Sequence, residues 1–541
     1  MIRNISGLLV LLFSISFCFA QTADIILFNG KIFTSDEKNL YVTALAIRGN
    51  RILATGNNES VDKYRGPNTQ RIDLQGKTVT PGFNDAHFHL EGGFKARNIQ
   101  FTTMDPSWES LLDSLRIISD ELKNNEWIVA TIGPSIANSP GANRFALDSI
   151  TTGHPVRLLS FWAHVGIYNT RGLISMGISE SQVEPKGGRY ERMPDGITLT
   201  GKCFEKNAII PESSYSKQTS FRDDDAFVGY LKRISQAFLH LGITSVQNMC
   251  TGATASDYIK YWKIAGLPFR LRLIRWGDLS PAGKILVPDK DLPRKNDDLP
   301  LLSVFGTKWL LDGTPIEGGA AVTEGYAYNE KHFGYLNYTK EDIKSFFEEA
   351  LKRDDQICFH VAGDSTLNTV LDVMGKMNVD WKSKRVRIEH GDGLLPAQFA
   401  NARSLGIMVV QNPTHFDKNI ISLLRGKMSE TGFRFLSLLK AGIPVAIGSD
   451  GAFNPFLNIK LAVTDPAFPG EAMSREQAVI AYTLTSAYAE FAEEKKGSLI
   501  PSKLADLAVL SQDIFTIPVQ QLLNTRSVLT IVDGKIVFKE K

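Results

Sequence analysis

The chain has 541 residues, more than one ordinary core accommodates, so a large folded unit and at least one smaller one are expected. With 43% hydrophobic and 22% charged residues, the composition excludes a disordered or low-complexity chain. A formal net charge of +2, without runs of like charge, offers no basic stripe and argues against nucleic acid as a partner.

The N-terminus reads as an export signal. Arg3 precedes an apolar run over 8–17, and Cys18-Phe19-Ala20 places small residues where a signal is cut. Residues 1–20 are therefore expected to be removed, and the mature protein to be periplasmic or extracellular. The run is shorter than the ~20 residues that span a bilayer, and no later segment is long and apolar enough, so no membrane span is expected. Three cysteines remain, Cys203, Cys250 and Cys358, which cannot all pair within one chain and read as buried free thiols.

Residues 24–80 are strand-rich. Ile25-Ile26-Leu27-Phe28 and Lys31-Ile32-Phe33 flank Asn29-Gly30, which signals a hairpin. Strands over 44–48 and 51–54 follow. The last residues repeat the style, with strands over 507–510, 527–532 and 535–538 and a turn at Asp533-Gly534. Both chain ends thus belong to one small β-unit, 21–80 with 491–541.

Between them apolar strands alternate with amphipathic helices. Buried strands are predicted over 79–85, 242–248, 270–276, 305–312, 356–362, 385–390, 406–412 and 443–450. Helices are predicted over 342–353, 365–377 and 434–441. This is the pattern of a parallel β/α fold, and eight strands over 81–490 suggest a closed (β/α)8 barrel, with an open doubly wound sheet as the other solution. Residues 97–222 fit no single β/α unit and read as an insertion covering the mouth.

The placement of the nine histidines carries the chemistry. His87 and His89 form a His-x-His at the end of the first barrel strand. In extended chain, residues i and i+2 share a face, so two imidazoles can bind one metal. His360, His390 and Asp450 end the fifth, sixth and eighth strands, and Lys308 lies in the fourth. Singly, a strand-end histidine is often a loop residue, and Asp450 could cap a helix. Barrel strand ends converge, however, and imidazole with carboxylate suits Zn²⁺ and similar ions.

These residues, taken together, resemble the amidohydrolase superfamily, in particular amidohydrolase family 3 with its N-substituted formamide deformylase-like enzymes. The resemblance spans nearly the whole mature chain. It rests on Pro81-Gly82-Phe83 with His87 and His89, Gly242-Ile243-Thr244-Ser245-Val246, Asp312-Gly313, His360-Val361-Ala362-Gly363-Asp364, Arg387-Ile388-Glu389-His390, Gly448-Ser449-Asp450, Gly497-Ser498-Leu499 and Lys503-Leu504-Ala505-Asp506-Leu507. It implies a metal-dependent hydrolase with a TIM-like barrel, a small composite β-sandwich from both chain ends, and one or two divalent ions, usually zinc. His87, His89, His360, His390 and Asp450 fall at its metal positions. Lys308 falls where many relatives carry a carbamylated lysine; the alternative is a lysine paired with a carboxylate.

The expected activity is hydrolysis of a non-peptide C–N bond in a small molecule, amide, cyclic amide or N-acyl, by metal-activated water. Asp450 would take the proton from water and return it to the leaving nitrogen. His164 and His415 are candidates for gripping the substrate, or else loop or core histidines. Glu205 lies in a segment resembling an insertion motif, with no role to derive. The alternatives are a deaminase on the same scaffold, against which Lys308 speaks, and a non-catalytic binding protein. Homo-oligomer formation stays open.

Overall fold

The computed structural model describes residues 22–92, 96–123, 125–206, 208, 224–251, 253–280, 283–295 and 298–540. The export signal expected over 1–20 lies outside them.

The central sheet has eight parallel strands in chain order: β1 (Phe83–Phe88), β2 (Ile243–Met249), β3 (Arg270–Trp276), β4 (Leu302–Leu310), β5 (Ile357–Val361), β6 (Arg387–His390), β7 (Met408–Gln411) and β8 (Val445–Ile447). All are buried along their length except for isolated half-buried residues, as sheets covered on both faces require. Beyond the end of β8 the chain returns to β1. Asp450 N–H donates to the His87 carbonyl at 3.0 Å and Ser449 N–H to Asp85 Oδ1 at 2.9 Å, which brings the two edges of the sheet together into a barrel.

The helices pack outside it for reasons written in their sequences. Lys340–Arg353 begins at Thr339, whose side chain forms a capping box with Asp342, and buries Ile343, Phe346, Phe347 and Ala350 on one stripe. Phe346 lies flat on Trp309 of β4 at 3.7 Å between ring centroids. The helices expected over 365–377 and 434–441 occur as Asp364–Lys376 and Leu436–Lys440.

Both chain ends share one six-stranded sheet, in which Leu507–Leu510 runs antiparallel to Thr78–Pro81. A four-stranded sheet carries Ile25–Phe28, Ala44–Arg48, Arg51–Gly56 and Gln70–Asp73. Ile25, Leu27, Ile32, Leu45, Leu507 and Ile531 pack in the core joining the two.

Two expectations here are corrected. The 25–28 and 31–33 segments do not form a hairpin. Ile25–Phe28 pairs with Ala44–Arg48 and Gln70–Asp73, whereas Lys31–Phe33 pairs with Thr78–Pro81 and Tyr41–Val42 in the other sheet. At the crossing, Gly30 lies so close to Leu74 that a Cβ would sit 2.3 Å from its Cδ1, so Gly30 serves close approach rather than a tight hairpin. Likewise the run over 79–85 is not one strand. It divides at Gly82, packed against Thr244 with a virtual Cβ 2.1 Å from Oγ1, so Thr78–Pro81 joins the small sheet and Phe83–Phe88 the barrel.

The insertion builds its own six-stranded sheet, in the order Gly188–Arg192, Leu199–Glu205, Val165–Tyr168, Val156–Ser160, Trp127–Ile132, Ala96–Ile99. Ile128, Ile132, Val156, Leu158 and Ile167 are among its own core residues. Cys203, Cys250 and Cys358 are buried and free, as expected.

Candidate metal centre and active site

The carboxyl ends of β1, β5, β6 and β8 bring the predicted histidines into one pit. His87 and His89 follow one another on β1 and its exit, with their Nε2 atoms 3.3 Å apart. Asp450 Oδ1 lies 3.6 Å from His87 Nε2 and 3.3 Å from His89 Nε2. Its Oδ2 lies 3.7 Å from His390 Nδ1 and 3.7 Å from His415 Nε2. His87, His390 and Asp450 offer donor atoms all within 4.8 Å of one another, a spacing that one divalent cation can draw together. His360 is set back. Its Nε2 is 3.4 Å from the Gly313 carbonyl, and its ring centroid is 4.4 Å from that of His390 and 4.9 Å from that of His164.

Backbone conformation aims two of these groups. Arg387 and Glu389 share one face of β6, so regular alternation would turn His390 away from them. His390 instead has φ 68° and Asp450 has φ 41°, left-handed values that L residues hold only under constraint from their surroundings.

Each imidazole is fixed from behind. His87 Nδ1 is 2.8 Å from Glu389 Oε2; an ionised carboxylate there places the ring proton on Nδ1 and leaves Nε2 facing the pit. His89 Nδ1 is 3.1 Å from Thr251 Oγ1, whose hydroxyl in turn donates to Glu91. His390 Nδ1 is 2.8 Å from Asn412 Oδ1, and Asn412 Nδ2 donates to the Gly448 carbonyl at 2.9 Å. Behind them, Arg387 Nε and Nη2 grip Glu389 at 2.9 and 3.1 Å, and Nη2 also donates to the Ala86 carbonyl at 2.7 Å. Both members are fully buried; removing one would strand the other charge, at about 3–5 kcal/mol.

The electrostatics follow from burial opposed by partners. Burial, with Lys308, lowers His87 to about 4, and burial with neighbouring imidazoles takes His360 and His390 well below the usual range. These rings are neutral near pH 7, the form that ligates metal. Burial raises Asp450, but the imidazoles around it outweigh burial and hold the carboxylate ionised, with His89, itself raised by Asp450, donating a hydrogen bond to it. Glu389 is likewise raised by burial and more than restored by Arg387 and His87. Lys308 is 2% exposed, and burial lowers its pKa against the pull of Glu389 and Asp450. Glu389 and Asp450 are the carboxylates that act on it, though no ion pair to it is formed among the described residues. His415 is lowered by burial, whereas burial of His164 is outweighed by Glu205 and Glu317, which hold it up at about 9. The rim of the pit thus presents one neutral and one cationic imidazole.

Sequence reasoning brought together every predicted residue but missed what supports them. Glu389, Arg387, Asn412 and Thr251 had no assigned role. An Arg-x-Glu on one face of a buried barrel strand was the available signal, because two like-facing charges in a core must be paired. Asp312 was also missed. Its carboxylate accepts from the N–H groups of Ala362 at 3.0 Å and Gly363 at 2.8 Å, which fixes the exit of β5 just beyond His360.

A barrel of parallel strands with imidazoles and a carboxylate gathered at its carboxyl ends defines a metal-dependent hydrolase. The chain belongs to the amidohydrolase family, whose model matches residues 70–538. It is 26% identical to the N-substituted formamide deformylase of Arthrobacter pascens, over 96% of this chain and 99% of that protein. Its fold is that of a metal-dependent hydrolase from Pyrococcus horikoshii, with TM-score 0.69 and 20% identity over 92% of this chain and 99% of that one. It also resembles a zinc-complexed atrazine chlorohydrolase of Arthrobacter aurescens, with TM-score 0.52 and 15% identity over 95% of each chain. The protein is accordingly an enzyme, a hydrolase acting on C–N bonds. Among the described residues, no helix is long and apolar enough to cross a membrane.

Proposed function

We propose that this enzyme hydrolyses an amide, cyclic amide or N-acyl bond of a small molecule, using a divalent cation, zinc by preference, held by His87, His89, His360, His390 and Asp450. The observation that carries this is the convergence of His87, His390 and Asp450 donors within 4.8 Å at three separate strand ends. A cation bound there polarises a carbonyl and makes water more acidic. Asp450, kept ionised by its imidazoles, takes the proton of the attacking water and delivers it to the leaving nitrogen. His164, cationic, donates to the substrate oxygen from the insertion side; His415, neutral, holds the leaving group on the other. The name of the Arthrobacter pascens relative, a deformylase of N-substituted formamides, supports the substrate class.

Lys308 sets the number of cations. Carbamylation by CO₂ needs a neutral amine, which its burial favours, and would give an anion that bridges two metals. Lys308→Ala is then expected to lower metal content and turnover together, and bicarbonate to raise the activity of reconstituted enzyme. A wild type saturated at one metal and indifferent to bicarbonate would give Lys308 a supporting role instead.

The decisive assay incubates zinc-reconstituted protein with a panel of N-acyl amines, formamides and cyclic amides. Carboxylate or formate release is expected. Ammonia release would make the enzyme a deaminase, and a fully metallated protein inert on both classes would make it a binding protein. We further propose that residues 1–20 direct export; N-terminal sequencing of the periplasmic protein should begin at Gln21, and an uncleaved cytosolic product would reject this.

A further inference from the structure

We propose that His164, Glu205 and Glu317 form a second divalent-cation site, outside the barrel pit, which clips the insertion to the barrel rim. The three come from distant parts of the chain. His164 follows Ala163, whose φ is 61°, in the turn before Val165–Tyr168. Glu205 ends Leu199–Glu205 with φ 55°, and its N–H donates to the His164 carbonyl at 2.9 Å, so the insertion sheet presents the two together. Glu317 belongs to the loop after β4, on the barrel itself, where Trp162 Nε1 from the insertion reaches its Oε2 at 2.8 Å.

The donor atoms of the three lie within 4.8 Å of one another. His164 Nδ1 and Glu205 Oε2 are 2.7 Å apart. The other oxygen, Glu205 Oε1, is buried and has no hydrogen-bond partner among the described residues, although the residue is only 2% exposed. A buried carboxylate oxygen left unsatisfied is costly. Its direction is marked by two glycines. A Cβ on Gly313 would lie 2.2 Å from Glu205 Oε1 and 2.5 Å from Glu317 Oε1, and one on Gly319 would lie 2.8 and 2.4 Å from the same atoms. Glu205 Oε1, unpartnered, and Glu317 Oε1, which accepts from the Thr314 N–H, therefore point at one spot floored by the backbone of Gly313 and Gly319.

The charge balance leads to the same conclusion. A buried carboxylate, Glu205, and a half-buried one, Glu317, share one imidazole, and neither has a lysine or arginine ion pair among the described residues. Burial and Glu205 push Glu317 up to about 7, so the cluster draws in positive charge as it stands. One imidazole nitrogen with carboxylate oxygens is a donor set for Zn²⁺ or Mn²⁺. None of these residues is among the proposed barrel metal ligands, so metal binding here can be tested apart from the barrel; a cation on His164 Nδ1 would replace the proton that makes the ring cationic and leave an Nε2 proton to face the substrate.

The test is anomalous diffraction from wild-type crystals soaked in Mn²⁺ or Zn²⁺, with Glu317→Gln alongside. A peak between His164, Glu205 and Glu317 is expected, lost in Glu317→Gln while a barrel peak remains. Manganese EPR titration of His87→Ala/His390→Ala should still show one bound ion per chain, abolished by adding Glu317→Gln. A wild-type map with metal only at the barrel histidines would overturn the proposal, whether or not the barrel variant folds. A map with metal only at the rim would instead reject the barrel reading.

Discussion

The pit and the rim of this barrel hold similar residues in opposite states. In the pit, His87 and His390 are backed by Glu389 and Asn412, and burial keeps both rings neutral. At the rim, His164 faces two carboxylates, is held up at about 9, and leaves Glu205 Oε1 unsatisfied. The difference teaches that, with no metal bound, the charge a buried imidazole carries follows its second neighbour. A backing group that takes the Nδ1 proton frees the other nitrogen for metal, whereas a surplus of carboxylates keeps the ring protonated.

The largest expected effect strips the pit of its ligands. His87→Ala with His390→Ala should remove the barrel metal and lower kcat/KM by on the order of 10³ or more. Unchanged metal content and turnover would break the contrast at its root. Asp450→Asn should retain the fold and lower kcat by on the order of 10², because the water loses its base; near-normal turnover would take Asp450 out of the mechanism. Asn412→Ala sharpens the distinction by removing the backing of His390, together with the Asn412 Nδ2 hydrogen bond to the Gly448 carbonyl. Metal affinity should fall about 10- to 100-fold, with activity restored at saturating metal. An activity loss that excess metal does not rescue would mean that Asn412 acts otherwise.

The smallest effect reads the rim through pH. Glu317 is raised from 4.5 to about 7 and His164 from 6.5 to about 9, so both hold protons in the fold that the unfolded chain has released. Their contribution is full below the unfolded values and is lost as pH rises through about 7 and about 9. Metal-free protein should therefore lose on the order of 1–3 kcal/mol of unfolding free energy between pH 6.5 and 9, and His164→Gln should flatten that slope. A flat wild-type profile in urea titrations would show that His164 is not held protonated.

Sequence alone pointed to a parallel β/α fold of eight strands, because strands buried on both faces are largely apolar, as 445–447 is, and the count of eight favoured a closed barrel over an open sheet. It also placed His87, His89, His360, His390 and Asp450 at the mouth, since the carboxyl ends of barrel strands converge whatever the loops do. Tertiary structure decided what local pattern cannot carry. Asn29-Gly30 reads as a hairpin turn, yet Leu74, far along the chain, claims the space against Gly30 and sends the flanking strands to different sheets. Glu317 carries no motif; only the docking of the insertion brings it to His164 and Glu205. Side-chain periodicity records which face of an element is buried, whereas the partner of a buried charge is set by contacts between segments that the sequence keeps far apart.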